Sequence, residues 1–257
     1  GLGDVYKRQV YKGLRLYPGC ESEKAAEIMA MYRDPEIDML IAAYGGASAL
    51  RVLEHLDYAA IKANPKPIAG FSDSTSIQMA VYAQTGNPFV TGFLPEYEFR
   101  PGFIDPLVDE CFRKIIKGEK IIARGGEILH GGVAEGVLLG ECLSTISDLN
   151  GTPYYPDIAG SILLIEDECE VSYKLGLMLT QLKYNPRFKE LRGIVIGKFS
   201  ECENHPTHGT VDEIVEDFAR QVKVPMIRNF NFGHFHSRYV LPAGIRFRIN
   251  AGEQTLE

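Results

Sequence analysis

The chain reads as an α/β protein in two parts, an N-terminal half built on parallel strands and a C-terminal half richer in strands. Two observations carry this. Between residues 23 and 82 the apolar spacing passes twice from a short unbroken run, through a glycine or polar turn, to helical spacing. Right-handed crossovers join such units into a parallel sheet. Beyond residue 127 four short apolar runs stand against only two helical stretches, so strands dominate there.

Ala25, Ala26, Ile28, Met29 and Met31 sit among charges at helical spacing over residues 23–33, and Asp34-Pro35 ends that helix, because the residue before proline is pushed out of the helical region. Residues 37–44 form a short buried strand broken by Gly45-Gly46. Helical spacing returns over 48–56 through Leu50, Val52, Leu53 and Leu56, and a second short helix runs from Asp57 to Asn64-Pro65. The run 67–71 is the next strand, and Ser72-Asp73-Ser74-Thr75 offers capping side chains to the helix that continues through Ile77, Met79, Ala80, Val81 and Tyr82. In parallel sheets the functional turns lie at the carboxyl ends of the strands, which singles out Gly45-Gly46 and residues 72–75.

Residues 98–127 carry prolines, charges and one helix around 108–116, the composition of a linker between an N-terminal domain over 10–97 and a C-terminal domain over 128–257. In the second domain, 134–139, 161–166, 193–199 and 246–250 read as strands, and 173–183 and 211–222 as helices. The first nine residues stand apart: they lack an initiator Met and the apolar core of a signal peptide, and residues 4–9 resemble the translation of a sequencing adapter. Native sequence is therefore expected to begin near Val10.

The 257 residues are 45% hydrophobic and 24% charged, the balance of a soluble globular protein. A net charge of −7 gives no general attraction for nucleic acid or anionic membranes. No apolar stretch approaches the roughly 20 residues that a membrane helix needs. Five scattered cysteines, Cys20, Cys111, Cys142, Cys169 and Cys202, read as free thiols in a reducing cytoplasm.

Three positions carry chemistry in combination. Gly70-Phe71-Ser72-Asp73 puts a serine at a strand-to-helix junction, where a hydroxyl is projected from the sheet and helix amides point at it. Read alone, with Ser74 where the familiar elbow has glycine, the motif is weak and Ser72 reads first as a helix cap. A serine becomes nucleophilic when an imidazole takes its proton and a carboxylate orients that imidazole. The apolar run 162–165 ends in Glu166-Asp167-Glu168, and Gly233-His234-Phe235-His236 lies in a glycine- and aromatic-rich loop, so both partners are available. Asp167 competes with Glu166, and His236 with His234. In an extended segment the two histidines face the same side, so alternation does not separate them. Cys202, His205 and His208 fall within seven positions, but the spacing is not a zinc pattern and Pro206 interrupts any helix that would align the histidines, which leaves a polar loop.

Taken together, these segments resemble the LD-carboxypeptidase family of serine peptidases, which includes the microcin C self-immunity proteins. Gly70-Phe71-Ser72-Asp73 with Thr75 is similar to the family's elbow, Leu164-Ile165-Glu166-Asp167 to its strand end, and Gly233-His234 followed by Leu241-Pro242-Ala243-Gly244 to its histidine loop. Residues 45–57 are similar to its glycine loop, with Ala47 and Ser48 departing from the pattern and Arg51 in register. The resemblance covers roughly residues 23–249.

It implies a Rossmann-like N-terminal domain that lacks its first strand and helix, a β-rich mixed α/β C-terminal domain, and an interdomain cleft. It also implies Ser72 as nucleophile, His234 as general base and acid, and Glu166 as the residue orienting the imidazole. The backbone N–H groups of Asp73, Gly45 and Gly46 are the implied oxyanion donors. The implied activity is hydrolysis of the L,D peptide bond before a C-terminal D-amino acid, as in murein tetrapeptide recycled in the cytoplasm, by a homodimer that needs no metal or organic cofactor. Cleavage of peptidyl or aminoacyl nucleotide antibiotics is the alternative, and a non-catalytic peptide-binding protein of the same fold is the third reading.

Overall fold

The computed structural model describes residues 21–98 and 104–257. The foreign-looking segment 1–9, the expected native start near Val10 and Cys20 lie outside the described residues. The first half runs α1 (Glu21–Arg33), β1 (Leu40–Ile41), a 3-10 helix (Ala49–His55), α2 (Tyr58–Ala63), β2 (Ile68–Gly70), a 3-10 turn (Ser72–Ser74), α3 (Thr75–Thr85), β3 (Phe89–Thr91) and α4 (Pro95–Glu98). Then come α5 (Pro106–Ile116), β4 (Ala123–Arg124), β5 (Glu127–His130), β6 (Val133–Cys142), α6 (Leu143–Asp148), β7 (Ser161–Glu168) and α7 (Ser172–Lys183). The chain ends with a short 3-10 turn (Phe188–Glu190), β8 (Gly193–Ser200), α8 (Val211–Gln221), β9 (Met226–Arg228), β10 (Leu241–Ala243), β11 (Arg246–Asn250) and β12 (Thr255–Leu256).

Local chemistry sets several boundaries. Thr210 and Glu213 form a reciprocal capping box at the start of α8, each side chain receiving the other's backbone N–H. Asp105 caps α5, whose first residue is Pro106, where a missing N–H costs nothing. Residues 49–55 wind as a 3-10 helix, tighter than the α-helix that their spacing also fits.

Two sheets result. The smaller has the order β1-β2-β3-β10, with β1, β2 and β3 parallel and β10 antiparallel to β3, pairing Leu241 with Thr91 and Ala243 with Phe89. The sheet expected to be parallel is thus closed on one side by an antiparallel strand from the last part of the chain. The larger sheet has the order β4-β12-β11-β6-β7-β8-β9-β5; β6 to β9 are parallel, and antiparallel strands flank them on both sides.

Strand β7 explains how the layers hold. It is buried on both faces, as an interior parallel strand must be, and so reads as an unbroken apolar run. Its alternating side chains enter different cores. Leu163 and Ile165 pack with Leu175 and Leu179 of α7 and Val215 and Phe218 of α8, whereas Ile162 and Leu164 pack with Ala69 and Val90 of the small sheet and with Phe71, Phe230 and Phe232. No described helix is long and apolar enough to cross a membrane.

Candidate active site

Strand β2 leaves the small sheet through Phe71, and Ser72 follows with φ of 63°. A side chain in that left-handed region costs roughly 1–2 kcal/mol, so the surroundings have to hold it. Ser74 Oγ donates to Phe71 O at 2.8 Å, closing the turn, and the backbone N–H of Ser72 donates to Glu141 Oε1. Thr75, the first residue of α3, donates its hydroxyl to Glu141 Oε2. Ser72 is half-buried.

The glycine loop lies against this elbow. A Cβ on Gly45 would sit 3.1 Å from Ser72 Oγ, so the bare backbone is what lets the loop come so close. Asp73 fastens it by accepting the backbone N–H groups of Ser48 at 2.9 Å and Ala49 at 3.1 Å. Lys24 Nζ donates to Ser48 Oγ at 2.9 Å, and Arg51 pairs with Glu21 at 2.7 Å.

The histidine–glutamate pair is held by the end of β7 and the loop after β9. The register of β7 against β8 shifts between Ile165 and Asp167, a local irregularity of the kind that re-aims side chains beside active sites. Glu166, buried there, accepts both the backbone N–H of His234 at 3.2 Å and its ring Nδ1 at 2.8 Å, on Oε2. With Nδ1 donating, Nε2 keeps its lone pair. Gly233, at φ of 137°, permits this: a Cβ there would stand 2.9 Å from Lys198 O and 3.2 Å from Glu166 Oε2.

The imidazole lies against the ring of Phe71, centroids 4.3 Å apart, which sets it beside the residue preceding Ser72. Its Nε2 is buried and makes no hydrogen bond among the described residues, and Glu168 Oε1 lies 3.5 Å from it. Burial holds the pKa of the imidazole below its ordinary value, opposed by the nearby charges of Glu168 and Asp167, and so favours the neutral ring. Burial also raises the pKa of Glu166, Asp167 and Glu141, the last to about 8.

The competing residues point elsewhere. Asp167 accepts the backbone N–H of Ser144 at 2.7 Å and that of Glu168 at 2.9 Å, so it anchors the start of α6 rather than the imidazole. His236 is exposed. Among the described residues no three His, Cys, Asp or Glu side chains converge as metal ligands. His205 and His208 instead pack together at 4.6 Å and against Tyr173. Cys111, Cys142, Cys169 and Cys202 are free thiols.

Two site residues escape a reading of the sequence. Arg238, fully buried, pairs with Glu98 at 2.6 Å, donates to Gly92 O at 2.9 Å and Phe235 O at 2.7 Å, and lies over the Phe71 ring. It ties the histidine loop to the end of β3. Glu141 is the second. Both partnerships join residues far apart in the chain, so neither leaves a local signal.

The structure thus sets a strained serine elbow from one sheet beside a histidine–glutamate pair held by another. The chain matches the LD-carboxypeptidase N-terminal domain over residues 3–92 and the LD-carboxypeptidase C-terminal domain over residues 135–249, and it belongs to the LD-carboxypeptidase family. It is 28% identical over 244 residues to the "Probable murein peptide carboxypeptidase" of Bacillus subtilis, covering 92% of this chain and 76% of that one. Its structure superimposes on muramoyltetrapeptide carboxypeptidase from Oxalobacter formigenes with a TM-score of 0.86 and 25% identity, over 93% of this chain and 84% of that one. MccF, the microcin C7 self-immunity protein of Escherichia coli, is 25% identical over 263 residues, covering 90% of this chain and 76% of that one. MccF in complex with glutamyl sulfamoyl guanosine superimposes with a TM-score of 0.82, over 93% of this chain and 81% of that chain.

Proposed function

We propose that this protein is a serine carboxypeptidase that hydrolyses the L,D peptide bond before a C-terminal D-amino acid, with murein tetrapeptide as substrate. The observation that carries the reading is the buried His234–Glu166 pair, 2.8 Å apart and packed on Phe71 beside the strained Ser72.

Ser72 Oγ attacks the scissile carbonyl while His234 Nε2 takes the hydroxyl proton, and Glu166 holds the tautomer and stabilises the imidazolium. The oxyanion is received by the backbone N–H of Asp73 and by the Gly45-Gly46 backbone, each such donor being worth about 2.7–4 kcal/mol of barrier. His234 then passes its proton to the leaving amine, and water activated by the same ring hydrolyses the acyl-enzyme. His234 Nε2 makes no hydrogen bond to Ser72 here; catalytic hydrogen bonds commonly tighten only in the substrate complex. The setting proposed is the cytoplasm, and the assembly a homodimer.

Incubation with murein tetrapeptide, followed by mass spectrometry, should release terminal D-alanine with the wild type and not with Ser72→Ala. Equal turnover by the two proteins would sink the assignment. The likeness to MccF favours a second reading, cleavage of an aminoacyl-sulfamoyl nucleotide, and a higher kcat/KM on that substrate than on tetrapeptide would select it.

A further inference from the structure

We infer that Glu141 is a positioning residue for the nucleophile: its carboxyl group takes the backbone N–H of Ser72 on one oxygen and the hydroxyl of Thr75 on the other, and so holds the elbow in its strained, attack-ready form. This deepens the proposed function and rests on it.

Glu141 stands near the end of β6 and is fully buried, on a strand whose Leu138 and Leu139 are buried as well. A carboxyl group is a costly occupant of such a place, and a leucine would fill it without the desolvation penalty. Its hydrogen bonds go to the two ends of one turn, Ser72 and Thr75, which bracket the strand-to-helix junction. A left-handed serine persists only where its surroundings over-determine it, and these two bonds supply that constraint from outside the small sheet.

The strand that carries Glu141 explains why the grip matters for catalysis as well as for folding. Glu141 pairs with Ile165 and Cys142 with Glu166 across the parallel β6–β7 ladder. The carboxyl that fixes the serine is therefore mounted one strand away from the carboxylate that fixes the imidazole. Elbow and acid–base pair share a rigid reference although they arise from different sheets. Burial, with the charge of Glu166 adding to it, pushes the Glu141 pKa up to about 8, so the group is largely protonated at neutral pH. In that form one oxygen still accepts from Ser72 while the other, now protonated, donates to Thr75 Oγ1, whose hydroxyl turns to accept, and no second negative charge is added beside the catalytic pair.

The test compares Glu141→Leu, Glu141→Gln and Thr75→Val with the wild type, using the rate at which a fluorophosphonate labels Ser72 and kcat and KM on murein tetrapeptide. A nucleophile misplaced by about 1 Å loses on the order of 100-fold. Glu141→Leu should therefore label and turn over about 10- to 100-fold more slowly, with KM little changed. Glu141→Gln, which offers one acceptor and one donor in the same places, should recover at least about tenfold of that loss, as hydrogen-bond positioning requires. Thr75→Val removes one of the two bonds without touching the carboxyl and should slow labelling by roughly fivefold; it carries the test if Glu141→Leu fails to fold. Wild-type labelling rates in Glu141→Leu or, failing that, in Thr75→Val, or a Glu141→Gln as slow as Glu141→Leu, overturn the positioning role alone. A wild type that hydrolyses tetrapeptide but does not label at Ser72 overturns the serine mechanism and this role with it.

Discussion

The carboxylate of Asp73 takes the backbone N–H of Ala49 on both of its oxygens, at 3.1 Å each. The residue after the candidate nucleophile thereby caps the 3-10 helix that follows Gly45-Gly46, so elbow and glycine loop move as one body. Replacing Asp73 by Ala removes a capping interaction worth about 0.5–2 kcal/mol and frees the loop. The expected outcome is a small fall in Tm and a fall in kcat of about 10- to 100-fold, the cost of one loosened oxyanion donor. Kinetics and thermal melts on the same preparation check this, and an unchanged kcat would remove the glycine loop from the oxyanion site.

Glu166 and Asp167 are adjacent in sequence, yet only the first faces the imidazole. Glu166→Gln should keep the fold and lose about 10³- to 10⁴-fold in kcat, because the wrong tautomer of His234 is then favoured. Asp167→Asn should act mainly on stability, by about 1–3 kcal/mol, through its bonds to Ser144 and Glu168. A reversal of the two phenotypes, measured by denaturant unfolding and turnover, would reassign the orienting carboxylate.

Arg238 and Glu98 form a fully buried ion pair. Desolvation pushes the Glu98 carboxyl up and Arg238 pulls it back. Removing one partner strands the other, so Arg238→Met alone should cost about 3–5 kcal/mol. Adding Glu98→Gln should return part of that loss. A double variant as unstable as the single one, in denaturant melts, would show that the bonds to Gly92 and Phe235 carry the stability instead.

The pH dependence has two separable parts. Burial depresses the pKa of His234, so the neutral base persists as pH falls through 6.5 and is lost only below that. The acidic limb of kcat/KM should accordingly have its midpoint below 6.5; a midpoint above it contradicts the burial argument. Glu141 has the opposite sign. Its folded-state pKa of about 8 exceeds the ordinary carboxyl value of 4.5, so the folded state binds more protons than the unfolded state between them. Its contribution to stability is complete below 4.5 and is lost as pH rises through about 8. Tm should decline from pH 5 to 8.5 in the wild type and decline less in Glu141→Gln. Parallel curves for the two proteins would count against a protonated Glu141.

The sequence was most legible where elements are long or buried on both faces. The runs at 161–166 and 193–199 correspond to β7 and β8 because interior parallel strands are continuous apolar runs. Strands β3 and β10, three residues each, are too short to carry a period, and nothing local tells Leu241–Ala243 to return to the small sheet. Ser72, Glu166 and His234 are marked by neighbouring glycines or by an abrupt strand end. The split between His234 and His236 is not marked, because it follows from a turn at Gly233 rather than from strand alternation. Glu141 and Arg238 are legible only once their partners, 69 and 140 residues away, are in place.

Strand β10 also orders the assembly of the fold. The small sheet that presents Ser72 is completed only when Leu241 pairs with Thr91, 150 residues earlier in the chain. Dependence on so distant a pairing slows the search for the native state, so the sheet beneath the elbow closes late, together with the histidine loop that precedes β10.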